Sequence, residues 1–342
     1  MPDMSRPIHD PRIVRWGIRT IGSLFVIAWL TLLSACTRAA GFETPVHDSS
    51  TAERRAPQKF ITAETAAELH RDLLSREANV DLFRARGPFG VAIREDRELR
   101  LTTSERIKTD LFLSAAAQKA PLVIFLHGDD SSKRAHAHQA AHLASWGTHC
   151  MTVQLPDKGP WDTNGRTLAR LVRLVYRSPE AIDNRIDTSK IILVGHSFGG
   201  FAVAVALAEG APATGAILLD PAGAGKDLPN FLRRIQKPVM VLGADDDDGS
   251  PRNRDYFFEL IRSGVAEVSI RDAVHEDAQW PSEFALRNGG VDPDTTEELQ
   301  VTFVSALAAA AISLSATGTF EYAWASFQRA LKNGKFFNAK KK

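Results

Sequence analysis

The chain has 342 residues, 44% of them hydrophobic and 24% charged, with a formal net charge of +1. That length allows one large domain or two small ones, with an ordinary globular core. A charge balance this close to neutral excludes a global field that would steer the protein to nucleic acid or to acidic substrates.

The chain begins with a targeting pattern. Arg6, Arg12, Arg15 and Arg19 make the start positive, and residues 20–35 then carry no charge. The apolar members of that run, from Ile21 to Leu33, are too few for a comfortable membrane-spanning helix and suit a signal peptide. The run ends in Leu33-Ser34-Ala35-Cys36, which resembles a bacterial lipobox. The resemblance implies cleavage before Cys36 and a diacylglycerol on its thiol. It places the mature protein on a membrane face of the cell envelope. Thr37, where the enterobacterial sorting rule reads aspartate as inner-membrane retention, points to the outer membrane. The expected organisation is a lipoprotein signal peptide at 1–35, a polar tether at 36–60, one domain at 61–335 and a basic tail at 336–342, with Lys340-Lys341-Lys342 read as frayed. The only cysteines are Cys36 and Cys150, so a lipidated Cys36 leaves no intrachain disulfide. Cys150 lies in an alternating apolar run and is read as a buried, inert thiol.

The domain opens with a helical pattern at 63–77 and short strand-like runs at 89–93 and 107–113. Residues 121–126 are a continuous apolar run, as in a strand buried on both faces. A helix (134–146), strand (148–154), helix (165–177), strand (190–194) and helix (198–209) follow. Strands at 215–219 and 238–242, a helix at 252–263 and a strand at 265–270 continue the pattern. Helices at 297–316 and 320–332 close it. Apolar strands alternating with amphipathic helices predict an α/β fold with a mostly parallel, doubly wound sheet and helices on both faces.

The strongest chemical signal is Gly195-His196-Ser197-Phe198-Gly199 between a predicted strand and a predicted helix. G-x-S-x-G in that setting is a nucleophile elbow. The sharp turn strains the serine backbone, and a side chain at Gly195 or Gly199 would clash. The helix beneath adds positive potential where an oxyanion develops. One oxyanion donor is the backbone N–H of Phe198. The other is expected at Asp129, just after His127-Gly128 at the end of the 121–126 strand. His127 is read as a loop brace. His275 is the only histidine after Ser197 and follows the last predicted parallel strand, which makes it the general base.

The acid has two candidates at the ends of adjacent strands, Asp220 in Leu219-Asp220-Pro221 and Asp247 in the run Asp245–Asp248. These parts together resemble the α/β-hydrolase superfamily over residues 107–285. The GHSFGG elbow, Leu219-Asp220-Pro221 and Val274-His275 resemble its chlorophyllase and platelet-activating-factor acetylhydrolase branch, which implies Asp220. The stretch Gly243–Asp247, with Pro251 beyond, resembles bacterial cutinase-like polyester hydrolases, which implies Asp247. Asp220 is preferred, and Asp247 or a neighbour in the acidic run is the alternative.

Other features carry plainer readings. His136, His138 and His142 share a predicted helix and are read as a solvated face rather than a metal site. The acidic run is read as an exposed loop rather than a calcium site. Trp161, Phe198 and Trp280 are read as packing, with an acyl-pocket lining as the alternative. The expected function is a serine hydrolase of carboxylic esters working through an acyl-enzyme, with no metal or organic cofactor. Its partners would be a small or lipid-like ester and, through Cys36, a membrane. The alternatives are a serine peptidase or amidase, and a non-catalytic envelope binding protein on the same scaffold.

Overall fold

A computed structural model describes residue 68 and residues 77–342, apart from 117–118, 224–225, 246–252 and 263. The chain divides into residues 1–58 and 59–342, and every element below belongs to the second unit. The signal peptide, Cys36, the tether, Asp247 and all but Glu68 and Glu77 of the predicted 63–77 helix lie outside the described residues.

Nine strands form one sheet: β1 (Val91–Arg100), β2 (Arg106–Ser114), β3 (Ala120–Leu126), β4 (His149–Gln154), β5 (Ile186–His196), β6 (Gly215–Leu219), β7 (Val239–Gly243), β8 (Val265–Ile270) and β9 (Phe336–Lys341). Their spatial order is β1-β2-β4-β3-β5-β6-β7-β8-β9. The run from β4 to β8 is parallel, and β1, β2 and β9 pair antiparallel at the two ends. The helices are α1 (Ala137–Ser145), α2 (Trp161–Arg177), α3 (Phe198–Ala208), α4 (Leu228–Arg234), α5 (Asn253–Leu260), α6 (Glu283–Asn288), α7 (Glu297–Thr317) and α8 (Glu321–Lys332).

Alternation along the central strands builds two cores. Leu122, Ile124, Leu126, Ile191 and Leu193 face one side and pack with α2, α3, α4 and α5. Val123, Phe125, Ile192 and Val194 face the other and pack with α1, α7 and α8. Burying such side chains stabilises the fold by roughly 1.5–3 kcal/mol each. Helix α7 is long and apolar enough to cross a membrane by composition, yet most of it is buried inside this core.

The chain leaves β3 towards β4 on the α1 side and returns past β3 to β5 through α2 on the opposite face. The strand order therefore reverses between β3 and β5. Open α/β sheets bind ligands in the crevice beyond the carboxyl ends of strands at such a point. The residues that follow those ends are His127-Gly128-Asp129 and Ser197.

The structure departs from the sequence expectations at the C-terminus and around α1. The C-terminal residues are not a frayed tail, because Phe336–Lys341 pairs with β8 as its edge strand. Phe336 is fully buried, and Lys340 and Lys341 pair with Glu267 and Glu321. Lysines on an edge strand also discourage pairing with a second chain. The histidines around α1 are not a solvated face. His136 and His142 are buried, with their rings bonded to Gln139 Oε1 at 2.7 Å and to the Phe83 carbonyl at 2.8 Å. Only His138 is exposed, packing edge-on against Trp280. Cys150 is buried and free, and burial pushes its thiol up to about 12.

Candidate active site

Strand β5 ends at His196 and α3 starts at Phe198, so Ser197 alone makes the turn. It does so with φ 53° and ψ −129°, a conformation that costs a side-chain-bearing residue about 1–3 kcal/mol. Backbone bonds hold it there. The Ser197 N–H donates to the Leu219 carbonyl at 3.1 Å, and its own carbonyl accepts from Gly200 at 2.9 Å and Ala222 at 3.0 Å. A Cβ at Gly195 would come 2.4 Å from the Gly199 carbonyl oxygen, and one at Gly199 would come 2.4 Å from that of His127. The two glycines let the turn close against itself and against the end of β3.

Gly128 brings the β3 loop onto the serine. A Cβ there would lie 2.7 Å from Ser197 Cβ and 3.1 Å from the His196 carbonyl oxygen. Asp129 comes next. Among the described residues, neither its N–H nor that of Phe198 donates to a backbone acceptor. His127 is fully buried and braces the loop. Its Nδ1 faces the Gly128 carbonyl oxygen at 2.9 Å, and its Nε2 lies 3.0 Å from the Leu155 carbonyl oxygen and 3.2 Å from the Leu155 nitrogen. Burial holds its pKa below the ordinary imidazole value, which favours the neutral ring.

His275 opens a short 3-10 turn after β8. Buried Asp277 ties that turn down, accepting the Val274 N–H and, from the start of α7, the Thr296 N–H, both at 3.0 Å. The His275 imidazole reaches Asp220, with Nδ1 2.6 Å from Oδ2. Asp220 follows β6 directly, at φ 37°, and its Oδ1 accepts the Ala244 N–H at 3.0 Å. Burial pushes the Asp220 carboxyl up. The hydrogen bond and charge of His275, the Ala244 N–H and the Arg254 guanidinium outweigh it and leave the carboxyl below its usual value. Of the two acid candidates, the structure joins Asp220 to His275, while Asp247 lies outside the described residues.

Ser197 and His275 line one cleft of about 390 Å³. Polar residues are prominent in its lining, among them Asp129, Asp130, Ser131, Glu276, Glu283 and Arg287. Arg287 reaches Asp130 Oδ2 at 2.9 Å and Glu283 Oε1 at 3.3 Å. Phe284 of α6 is the aromatic residue in this lining. The other aromatics go elsewhere. Trp161 stacks on Phe198 at 5.7 Å, and Trp280 packs against His138.

His196 occupies the variable position inside the elbow, for which the sequence sets no expectation. It is buried, its ring centroid lies 4.5 Å from that of His275, and its Nε2 lies 3.2 Å from the His275 carbonyl oxygen. No local signal marks it, because G-x-S-x-G leaves that position open.

A strained serine on a strand-to-helix turn, beside a histidine paired with a carboxylate, is the arrangement of a hydrolase elbow. A family model described as the alpha/beta hydrolase family matches residues 123–332. The chain belongs to the α/β-hydrolase family. The matched span runs from within β3 to the end of α8 and includes Ser197, Asp220 and His275. No curated protein matches the chain. Membership supports a hydrolase in general terms, and the nine-stranded, mostly parallel sheet with helices on both faces agrees with that fold.

Proposed function

We propose that this α/β hydrolase is a serine esterase with Ser197 as nucleophile, His275 as general base and Asp220 as the acid. The observation that carries the reading is the 2.6 Å contact between His275 Nδ1 and Asp220 Oδ2, on the edge of the sheet that also holds Ser197. Asp220 holds the imidazole with Nδ1 protonated, which leaves Nε2 to take the Ser197 proton. Serine Oγ attacks the ester carbonyl, and the Asp129 and Phe198 N–H groups stabilise the oxyanion. His275 returns the proton to the departing alcohol. Water, activated by the same imidazole, then releases the acid from the acyl-enzyme. The Asp220 pairing favours the chlorophyllase and platelet-activating-factor acetylhydrolase branch over the cutinase-like one.

A panel of p-nitrophenyl esters of rising chain length tests the reaction. Turnover that disappears in Ser197→Ala supports an esterase. Turnover of anilides alone would indicate an amidase, and no turnover at all would defeat the reading.

The proposal extends to location. Residues 1–36, with a charged start, an apolar run and Cys36, support a lipid-anchored envelope protein, with the outer membrane favoured. Metabolic labelling with a lipid analogue should tag the wild type and leave Cys36→Ser untagged. Untagged wild-type protein found wholly in the soluble fraction would refute the anchor.

A further inference from the structure

Ester cleavage by Ser197, His275 and Asp220 does not require a histidine before the nucleophile, yet His196 is built into the site with care. It is 3% exposed, and both ring nitrogens are engaged. Nε2 faces the His275 carbonyl oxygen at 3.2 Å, and Nδ1 faces Gln279 Nε2 at 3.0 Å. A carbonyl can only accept, so Nε2 carries the proton and Nδ1 accepts.

Gln279 enforces that choice. Its Oε1 accepts the Glu283 N–H at 3.0 Å, which turns its nitrogen towards His196. The same nitrogen also lies 3.3 Å from Ser131 Oγ. One amide thus links His196 to the start of α6 and to the loop beyond the oxyanion donor Asp129. The Gln279 carbonyl in turn accepts from Gln300 Nε2 of α7 at 3.1 Å.

The ring also has mechanical work. Phe125, His136, His196 and His275 succeed one another as near-neighbour rings, with centroid separations of 5.8, 5.9 and 4.5 Å. The column starts on β3 in the core and ends at the general base. Asp220 grips one edge of the His275 imidazole, and the His196 ring lies next to it, tilted by 40°. Burial, then repulsion from a protonated His275, holds His196 well below the ordinary imidazole range. It therefore stays neutral while His275 cycles between its charge states.

We propose that His196 is the positioning residue of the general base. Its Nε2–H fixes the His275 backbone, its ring backs the His275 imidazole, and Gln279 locks the tautomer that makes both possible. The inference rests on the reading of Ser197 and His275 as nucleophile and base. Catalysis depends on holding such groups to within about half an ångström, and a misplacement of about 1 Å can cost on the order of 100-fold.

The test compares wild type with His196→Leu, His196→Gln and Gln279→Leu on one p-nitrophenyl ester, with melting temperatures measured alongside. His196→Leu removes the donor and the ring, and should lower kcat about 10- to 100-fold with KM within about 2-fold. His196→Gln places an amide N–H where Nε2–H was, and should recover most of kcat. Gln279→Leu keeps the histidine but frees its tautomer, and should lower kcat several-fold at unchanged KM. It decides the matter if His196→Leu does not fold. A folded His196→Leu with wild-type kcat, or a loss that falls on KM while kcat holds, would overturn the positioning role. Wild-type protein that neither turns over esters nor reacts with a fluorophosphonate would instead bring down the hydrolase reading beneath it.

Discussion

His275 Nδ1 lies 2.6 Å from Asp220 Oδ2, although 55 residues and two further strands separate them in the chain. The contact forms because β6 and β8 end at the same edge of the sheet. Backbone bonds then stitch the loops together: Asp220 N–H to the Leu242 carbonyl at 2.7 Å, and Asp245 N–H to that of Ala273 at 2.9 Å. Asp220→Asn should therefore lower kcat on the order of 10⁴-fold, because an amide favours the wrong imidazole tautomer. Asp247→Asn should change it only mildly. Kinetics on both variants, with circular dichroism to check folding, would decide. A near-normal Asp220→Asn beside an inactive Asp247→Asn would reverse the assignment.

Gly128→Ala should abolish most turnover without unfolding the protein. The added methyl meets Ser197 Cβ at 2.7 Å and must displace either the nucleophile or the Asp129 loop. The loss should be at least about 100-fold in kcat, as when an oxyanion donor is removed. Wild-type kcat in this variant would mean that the Gly128 loop is not held against Ser197.

Stability should fall between neutral and mildly acidic pH, because buried histidines resist protonation. Burial brings His136 and His149 down to about 4. Among the described residues the His136 Nε2 is buried without a partner. An unfolded histidine titrates near 6.5, so between that value and 4 the unfolded chain binds more protons than the native one. Their contribution is fully present above pH 6.5 and is lost as pH falls towards 4. Each group should cost about 2 kcal/mol between pH 7.5 and 5, and His127, His142 and His196 shift in the same direction. Urea denaturation at the two pH values measures it, and His149→Gln should shrink the difference. Equal stability at both would contradict the burial of these rings.

The edge strand β9 makes a separate claim. Phe336 is fully buried, with its ring 6.0 Å from that of Phe327 on α8. Phe336→Ala should destabilise the domain by about 3–5 kcal/mol. Exposed Lys342 at the end should tolerate substitution within about 0.5 kcal/mol. Thermal melts of the two variants would separate a docked strand from a loose tail.

The parts of the fold that were legible in the sequence are those written locally. Leu122–Leu126 announces a buried strand by its unbroken apolar run, and the glycines around Ser197 announce the turn by their spacing. The rest depends on partners distant in the chain. Asp220 and Asp247 are equivalent as strand-end aspartates, and the choice turns on where the loop before His275 travels. His142 reads as a solvated position until the Phe83 carbonyl, 59 residues earlier, covers it. Strand β9 hides behind its lysines, whose charge is met by Glu267 and Glu321 on other elements. Helix α6, with no buried residue, lacks the apolar stripe that marks a helix.

The central claim is that Ser197 is an activated nucleophile in an intact site. The most direct measurement is labelling of the folded protein with a fluorophosphonate probe, followed by peptide mapping by mass spectrometry. The account predicts one adduct, on the peptide that carries Ser197, formed rapidly in wild type, slowly in Asp220→Asn and not at all in Ser197→Ala. An unlabelled wild-type protein, or an adduct that persists in Ser197→Ala, would contradict it.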